Sequence, residues 1–338
     1  MPRLVALLSV AYLAALAAAA FGLAVVGESW WVTTLGLYVP VLLLAAPWPF
    51  LLVALRWQRS RRLLWAQGLT LLLLAFLAGF VPPLPSWGGA DGAKLKVLSF
   101  NVDSGYAGYD AIISEILAQS PDVVLVQEAF SAPDQLRDKL NKHYPHVHWI
   151  HQFVIASRYP ILEATDPERL QYFGRERSPR FMRYRLATPL GDLAVFSVHP
   201  VSPRGIFGLY RVREALRLVK SGALFSLDPE VGVQGNTGLR LLQLQAISKL
   251  AASEKRPVVI AGDFNLPALS PALRKYFGDY DDGFRSAGWG FGYTFPSKYP
   301  WLRLDRVLVS RELEFRSFEV GCEKLSDHRC VVSEILKR

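Results

Sequence analysis

The sequence predicts an α/β domain that follows a set of membrane-spanning helices. Three observations lead there. The first 90 of 338 residues are almost free of charge, holding only Arg3, Glu28, Arg56, Arg59, Arg61 and Arg62. From Lys94 onward apolar runs alternate in the order strand, helix, strand, separated by turn residues and an ordinary share of charge. Polar residues recur at the ends of those apolar runs, where burying them is costly unless they find a partner.

The N-terminal region divides into three uncharged runs, residues 4–26, 32–55 and 63–84. Each is long enough to cross about 30 Å of hydrocarbon as a helix. All are apolar around the whole circumference, with no polar stripe to face water, which argues against helices of a soluble core. Pro40, Pro47 and Pro49 predict a kink or a break in the second run. The connection between the second and third runs carries Arg56, Arg59, Arg61 and Arg62, whereas Trp30 and Trp31 mark the one between the first and second. Positive charge stays cytoplasmic, so the chain after residue 84 is expected outside, in a multi-pass protein of the cell (inner) membrane. Residues 1–20 also resemble a signal peptide, and cleavage there would leave the same orientation. The expected organisation is an anchor over 1–85, a Pro- and Gly-rich linker over 86–93, and a catalytic domain over 94–338.

Within that domain, residues 96–102 read as a strand ending at Asn101, and 109–119 has helical spacing. Residues 122–130 form an apolar strand broken by Gln127 and Glu128. Strands over 153–161, 192–200, 256–267 and 301–310 follow, presenting His199, Asp263, Asn265 and Asp305. Asp327 and His328 precede a last strand. A single such residue is a capped turn or a satisfied core group more often than a catalytic one. So many at strand ends of one domain point to a shared site.

Charge bounds the partners only loosely. The first 90 residues carry 5 Arg and 1 Glu, and the remainder 33 basic and 28 acidic residues, so +5 of the net +9 belongs to the catalytic region. That suits an anionic substrate or membrane surface and falls short of a nucleic-acid-binding stripe. Cys322 and Cys330 are too few for a zinc site. A disulfide between neighbouring strands and a pair of free core thiols both fit their spacing.

The ordered segments SFNV, QE, ASRYPI, SVHP, GDFN, LDRVLVS and SDH resemble the endonuclease/exonuclease/phosphatase superfamily, whose members include deoxyribonucleases, abasic-site endonucleases, inositol phosphatases and neutral sphingomyelinases. The resemblance covers residues 94–337. It implies two packed sheets flanked by helices, a four-layer α/β/β/α sandwich, with the active site at one rim. It also implies roles. Glu128 would be the principal ligand of a divalent cation, Mg²⁺ or alternatively Mn²⁺, assisted by Asn101 and Asp327 through hard oxygen donors. Asp305 would orient His328. Asp263 would position or deprotonate the attacking water, and Asn265 and His199 would donate hydrogen bonds to phosphoryl oxygens. Whether Asp263 or His328 is the base stays open.

Two segments exceed that pattern. Residues 204–227 form an insertion that interleaves apolar residues with Arg and Lys, fitting either a helix on a membrane surface or one packed on the domain. The stretch 289–301 holds more aromatic residues than the scaffold needs, notably Trp289, Phe291, Tyr299 and Trp301. Three spans ahead of such a domain are similar in layout to membrane proteins linked to teicoplanin-type resistance, an analogy that points to a lipid-carrier pyrophosphate. The expected reaction is hydrolysis of a phosphate ester or anhydride by in-line attack of water. The expected partners are the lipid bilayer and a phosphorylated lipid. An exported nuclease acting on nucleic acid and a sphingomyelinase-like phosphodiesterase are the alternatives.

Overall fold

A computed structural model describes residues 2–57, 61–83, 92–131, 133–203, 220–222, 226, 228–230 and 232–338. The insertion expected over 204–227 and the linker expected over 86–93 fall almost wholly outside these residues.

The catalytic region is built on two six-stranded sheets. The first runs β13-β14-β1-β2-β4-β3, with β1 Lys94–Asn101, β2 Val123–Gln127, β3 His146–Ile150, β4 Phe153–Ser157, β13 Leu313–Gly321 and β14 Cys330–Lys337. The second runs β11-β12-β10-β9-β8-β5, with β5 Ile161–Thr165, β8 Phe181–Thr188, β9 Gly191–Val198, β10 Val258–Asp263, β11 Asp281–Asp282 and β12 Asp305–Val309. A small ribbon, β6 Leu170–Tyr172 with β7 Arg175–Arg177, stands apart. Both large sheets centre on one parallel pair, β1 with β2 and β10 with β9, flanked by antiparallel neighbours.

Strand periodicity explains the layering. Successive side chains point to opposite faces, so Leu95, Val97, Val123, Leu125, Val259 and Ala261 enter the core between the sheets. Leu98, Phe100, Val124 and Val126 point the other way, under the helices α6 Tyr109–Ala118 and α7 Pro133–Leu140. Val258 and Ile260 likewise meet a second helical layer, led by α8 Val233–Ala252. The central strands are apolar throughout because both their faces are covered. This is the four-layer sandwich expected from the sequence. Cys322 and Cys330 form a disulfide across β13 and β14, with Cα atoms 5.3 Å apart.

The N-terminal region departs from three equal spans. Only Arg3–Ser29 is both long and apolar enough to cross a membrane among the described residues. The second run divides into α2 Trp31–Gly36, α3 Val41–Ala45 and α4 Pro47–Trp57, with Pro40 just ahead of α3 and Pro47 opening α4. Pro40 supplies no backbone N–H and its ψ of 120° is extended, so helix cannot continue through it. The third run yields α5 Arg61–Leu77, 17 residues or about 25 Å. It ends at a turn in which Gly79 takes φ +67°, well short of residue 84. The first helix, α1 Pro2–Phe21, packs against α5 through Leu16, Ala20, Leu74 and Leu77.

These helices dock directly on the catalytic region. Leu37 and Tyr38 share a buried cluster with Leu302 and Leu304. Tyr293 Oη donates to Ala78 O at 2.8 Å, and the Ser270 hydroxyl donates to the Glu28 carboxylate.

Candidate active site

Sheet topology brings the polar strand ends to one rim. Parallel β1 and β2 end together, pairing Asn101 with Gln127, and parallel β9 and β10 end together beside them. The strands β12 and β14 run antiparallel to β10 and β1, so their starts reach the same rim. Asp263 thus pairs with Asp305 across β10 and β12. Gly262 makes this crowding possible. A Cβ there would lie 2.0 Å from Val198 O, and its φ of +150° excludes most side chains.

All eight residues expected from the sequence lie in this region. Glu128, Asp263, Asn265, Asp327 and His328 line one pocket together with Asp103, Ser202, Phe295 and Leu304. His328 Nδ1 lies 2.8 Å from Asp305 Oδ2, with both groups buried. Its Nε2 faces Asp263 Oδ2 at 3.6 Å. Asp263 is fixed from two sides: Asn265 N donates to Oδ1 at 2.8 Å, and Asn101 Nδ2 donates to Oδ2 at 3.3 Å. His199 Nε2 approaches Glu128 Oε1 at 3.2 Å and Asp263 Oδ2 at 3.7 Å, without the alignment of a full hydrogen bond. Gln127 is structural. Buried between the sheets, it donates to Ser99 Oγ and to Ser197 Oγ.

Glu128 and Asn265 both hold left-handed backbone, at φ +56° and +51°. Such geometry costs about 1–3 kcal/mol per residue and persists where the surroundings enforce it. Here it turns both side chains off their strand ends toward the pocket.

Electrostatics separate the carboxylates. Burial by itself would raise Glu128, but the close approach and charge of His199, with Asn101, outweigh it and hold the carboxyl at about 2. Burial raises Asp263, an effect opposed by His328 and reinforced by Asp305. Asp327 is raised by its partial enclosure even though its side chain reaches solvent. For His328, burial disfavours the charged ring, but Asp305 and Asp263 more than compensate, raising it to about 10.

The donor set fits a hard divalent cation. Glu128 and Asp327 offer carboxylate oxygens to the pocket and Asp103 lies beside them, while no Lys or Arg among the described residues lines it. Asn101 turns its Oδ1 to Asp103 N at 3.1 Å. Beside this set, Asp263, Asp305 and His328 form a buried group whose possible ligand atoms all lie within 4.8 Å of one another. Within it, His328 and Asp305 are joined by the 2.8 Å hydrogen bond.

Several contributors had no sequence signal. Gln152 Oε1 accepts from His199 Nδ1 at 2.6 Å and fixes the ring, yet it sits in a turn without a distinguishing pattern. Tyr38, inside an apolar run, donates its hydroxyl to Asn265 O at 2.8 Å and accepts from Arg240 at 2.8 Å. Tyr38 and Arg240 are each 1% exposed. The turn carrying Asn265 is therefore propped by Tyr38 of the N-terminal region and by Arg240 of α8. Phe295 packs on His328, ring centroids 4.7 Å apart.

These features belong to a recognisable family. The model of the Endonuclease/Exonuclease/phosphatase family matches residues 98–328, more than half of the chain, and the protein is a member of it. Members are phosphoesterase hydrolases that commonly use divalent metal. Among solved structures, the chain is similar to an endonuclease/exonuclease/phosphatase from Beutenbergia cavernae, with a TM-score of 0.53, 18% identity and 72% of each chain covered. It is also similar to a family protein from Bacteroides thetaiotaomicron, with a TM-score of 0.52, 15% identity, and 74% of this chain and 100% of that one covered. Beta toxin from Staphylococcus aureus aligns with a TM-score of 0.50, 16% identity, and 72% and 100% covered. At such identities the likeness is one of fold. No curated protein sequence matches the chain.

Proposed function

We propose that this chain is a membrane-anchored, metal-dependent phosphoesterase that hydrolyses a phosphate ester or anhydride of a lipid at the outer leaflet. The observation that carries the reaction class is the convergence of Glu128, Asp263, Asn265, Asp305 and His328 at one rim from strands far apart in sequence. Glu128, with Asp327 and Asn101, would hold Mg²⁺, which when bound neutralises charge on the phosphoryl oxygens. Asp305 fixes the His328 ring through Nδ1, leaving the protonated Nε2 to face the pocket as a donor. Asp263, whose basicity burial raises and which faces His328 Nε2 at 3.6 Å, is the group we assign to accept the proton of the attacking water. Asn265 and His199 donate to the phosphoryl oxygens as charge builds.

The membrane reading draws on the way the helices meet the domain. The C-terminal ends of the Arg3–Ser29 segment and of α5 touch the catalytic region, through Gly27 against Pro271 and Ala78 with Tyr293. Arg3 and Arg56 stand at the opposite helix ends. With positive charge inside, the domain is placed outside, where a disulfide such as Cys322–Cys330 persists. The test is phosphate release from a polyprenyl pyrophosphate beside nicking of supercoiled plasmid, by full-length protein with Mg²⁺ and Glu128→Ala as blank. Phosphate release without nicking is expected. Nicking without phosphate release would replace this reading with an exported nuclease.

A further inference from the structure

A cavity of about 690 Å³ lies between the N-terminal helices and the aromatic segment of the catalytic region. Leu42, Ala45 and Ala75 line one side and Phe291, Tyr299 and Trp301 the other. The volume is in the range that encloses a ligand of a few tens of atoms. We infer that this cavity holds the hydrocarbon tail of a phosphate-bearing lipid whose headgroup enters the catalytic pocket. The inference deepens the phosphoesterase reading above and rests on it for the headgroup.

Four observations favour that occupant. The helical wall belongs to segments that are apolar on every face, and Leu42 and Leu71 at its edge are 80% and 49% exposed. That wall is matched to hydrocarbon rather than to water or a polar partner. The cavity also sits at the ends of the helices that touch the catalytic region, since Ala78 and Tyr293 line it together. The aromatic wall is, moreover, continuous with the active site. Trp301 N donates to Phe295 O at 3.0 Å, and the other side of Phe295 packs on His328 in the catalytic pocket. Phe295 thus links the aromatic wall that ends at Trp301 to the pocket that holds the reacting groups. Finally, two polar groups line the otherwise apolar cavity. Lys298 lines the cavity with its ammonium over the Tyr299 ring, a cation for a phosphate. Trp48 Nε1 is buried without a partner among the described residues and can donate to an ester or phosphate oxygen.

Photolabelling and hydrolysis together test this. Full-length protein in detergent would be irradiated with a polyprenyl phosphate carrying a diazirine in its tail, and the labelled peptides mapped. Labelling of peptides containing Ala75 and Phe291 to Trp301 is expected, and should be suppressed by unlabelled polyprenyl pyrophosphate but not by the polyprenol. Ala75→Trp and Ala45→Phe fill the cavity from different helices. Each should lower hydrolysis of polyprenyl pyrophosphate at least tenfold, chiefly through KM, while cleavage of the water-soluble bis(4-nitrophenyl) phosphate stays at the wild-type rate. Labelling indifferent to the phosphate would mean ordinary membrane lipid fills the cavity, and would overturn the inference. So would wild-type lipid hydrolysis by both folded variants. If the wild type cleaves neither substrate, the phosphoesterase reading falls, and the labelling pattern alone decides the tail site.

Discussion

Replacing Asp305 by Asn tests the role proposed for the Asp305–His328 pair most directly. The side chain keeps its shape and loses its charge, in a position that is fully buried. Asp305 Oδ2 makes one short contact, 2.8 Å to His328 Nδ1, and Oδ1 has no partner among the described residues. Little else is therefore disturbed. A hydrogen bond to a charged group contributes about 1.5–3 kcal/mol. At about 1.4 kcal/mol per tenfold, its loss predicts a fall in kcat of roughly 10- to 150-fold. The pH dependence should change as well. Burial lowers His328, and the carboxylates of Asp305 and Asp263 outweigh it to bring the ring to about 10. Without the Asp305 charge the proton leaves at lower pH, so the alkaline limb of the rate moves down from about 10 toward the ordinary 6.5. Stability follows the same sign. A raised histidine stabilises the fold fully below its unfolded value and ceases to do so as pH rises through its folded value. The variant's stability deficit is thus largest at neutral and acid pH and vanishes above about 10. Steady-state rates and thermal melts across that range would measure both effects. An unchanged kcat with an unmoved alkaline limb would refute the assigned role of the pair.

Four further outcomes are expected. Glu128→Ala, Asp263→Asn and His328→Ala should each lower turnover by about 10²-fold or more without unfolding the protein, as circular dichroism and steady-state assays would establish. Tyr38→Phe leaves Asn265 O and the buried Arg240 without their shared hydroxyl, so it should cost about 1–3 kcal/mol in thermal stability and lower kcat with little change in KM. Gly262→Ala puts a methyl 2.0 Å from Val198 O and should destabilise by more than about 3 kcal/mol, read as loss of folded protein on expression. Chelation of divalent cations should abolish hydrolysis reversibly and leave the sheet signal intact, because the sheets are held by backbone pairing and apolar packing that involve none of the proposed ligands Glu128, Asp327 and Asn101 as cross-links through metal.

Much of the catalytic fold is legible in the amino-acid sequence. Strand periodicity is local, so the alternation of Leu95, Val97 and Leu98 already assigns faces, and strands apolar on both faces already require covering layers. Polar residues ending such strands are legible too, since a carboxylate such as Glu128 or Asp305 has no cheap place in an apolar run. Helix length in the N-terminal region is less so. An uncharged run reports composition, whereas the end of a helix depends on single residues, Pro40 in one case and the turn at Gly79 in the other.

What the chain's own pattern determined, then, is the set of layers and the candidates at their edges. The tertiary structure decided which of those candidates meet, and how they are held. Asp263 faces Asp305 because β12 returns antiparallel to β10, a pairing across 42 positions that no local spacing encodes. The supports of the site are longer-range still. Gln152 holds His199 across 47 positions, and Tyr38 holds Asn265 across 227. In sequence each is an ordinary polar residue. A hydrogen bond depends on where two groups end up in space, and only the packed fold fixes that.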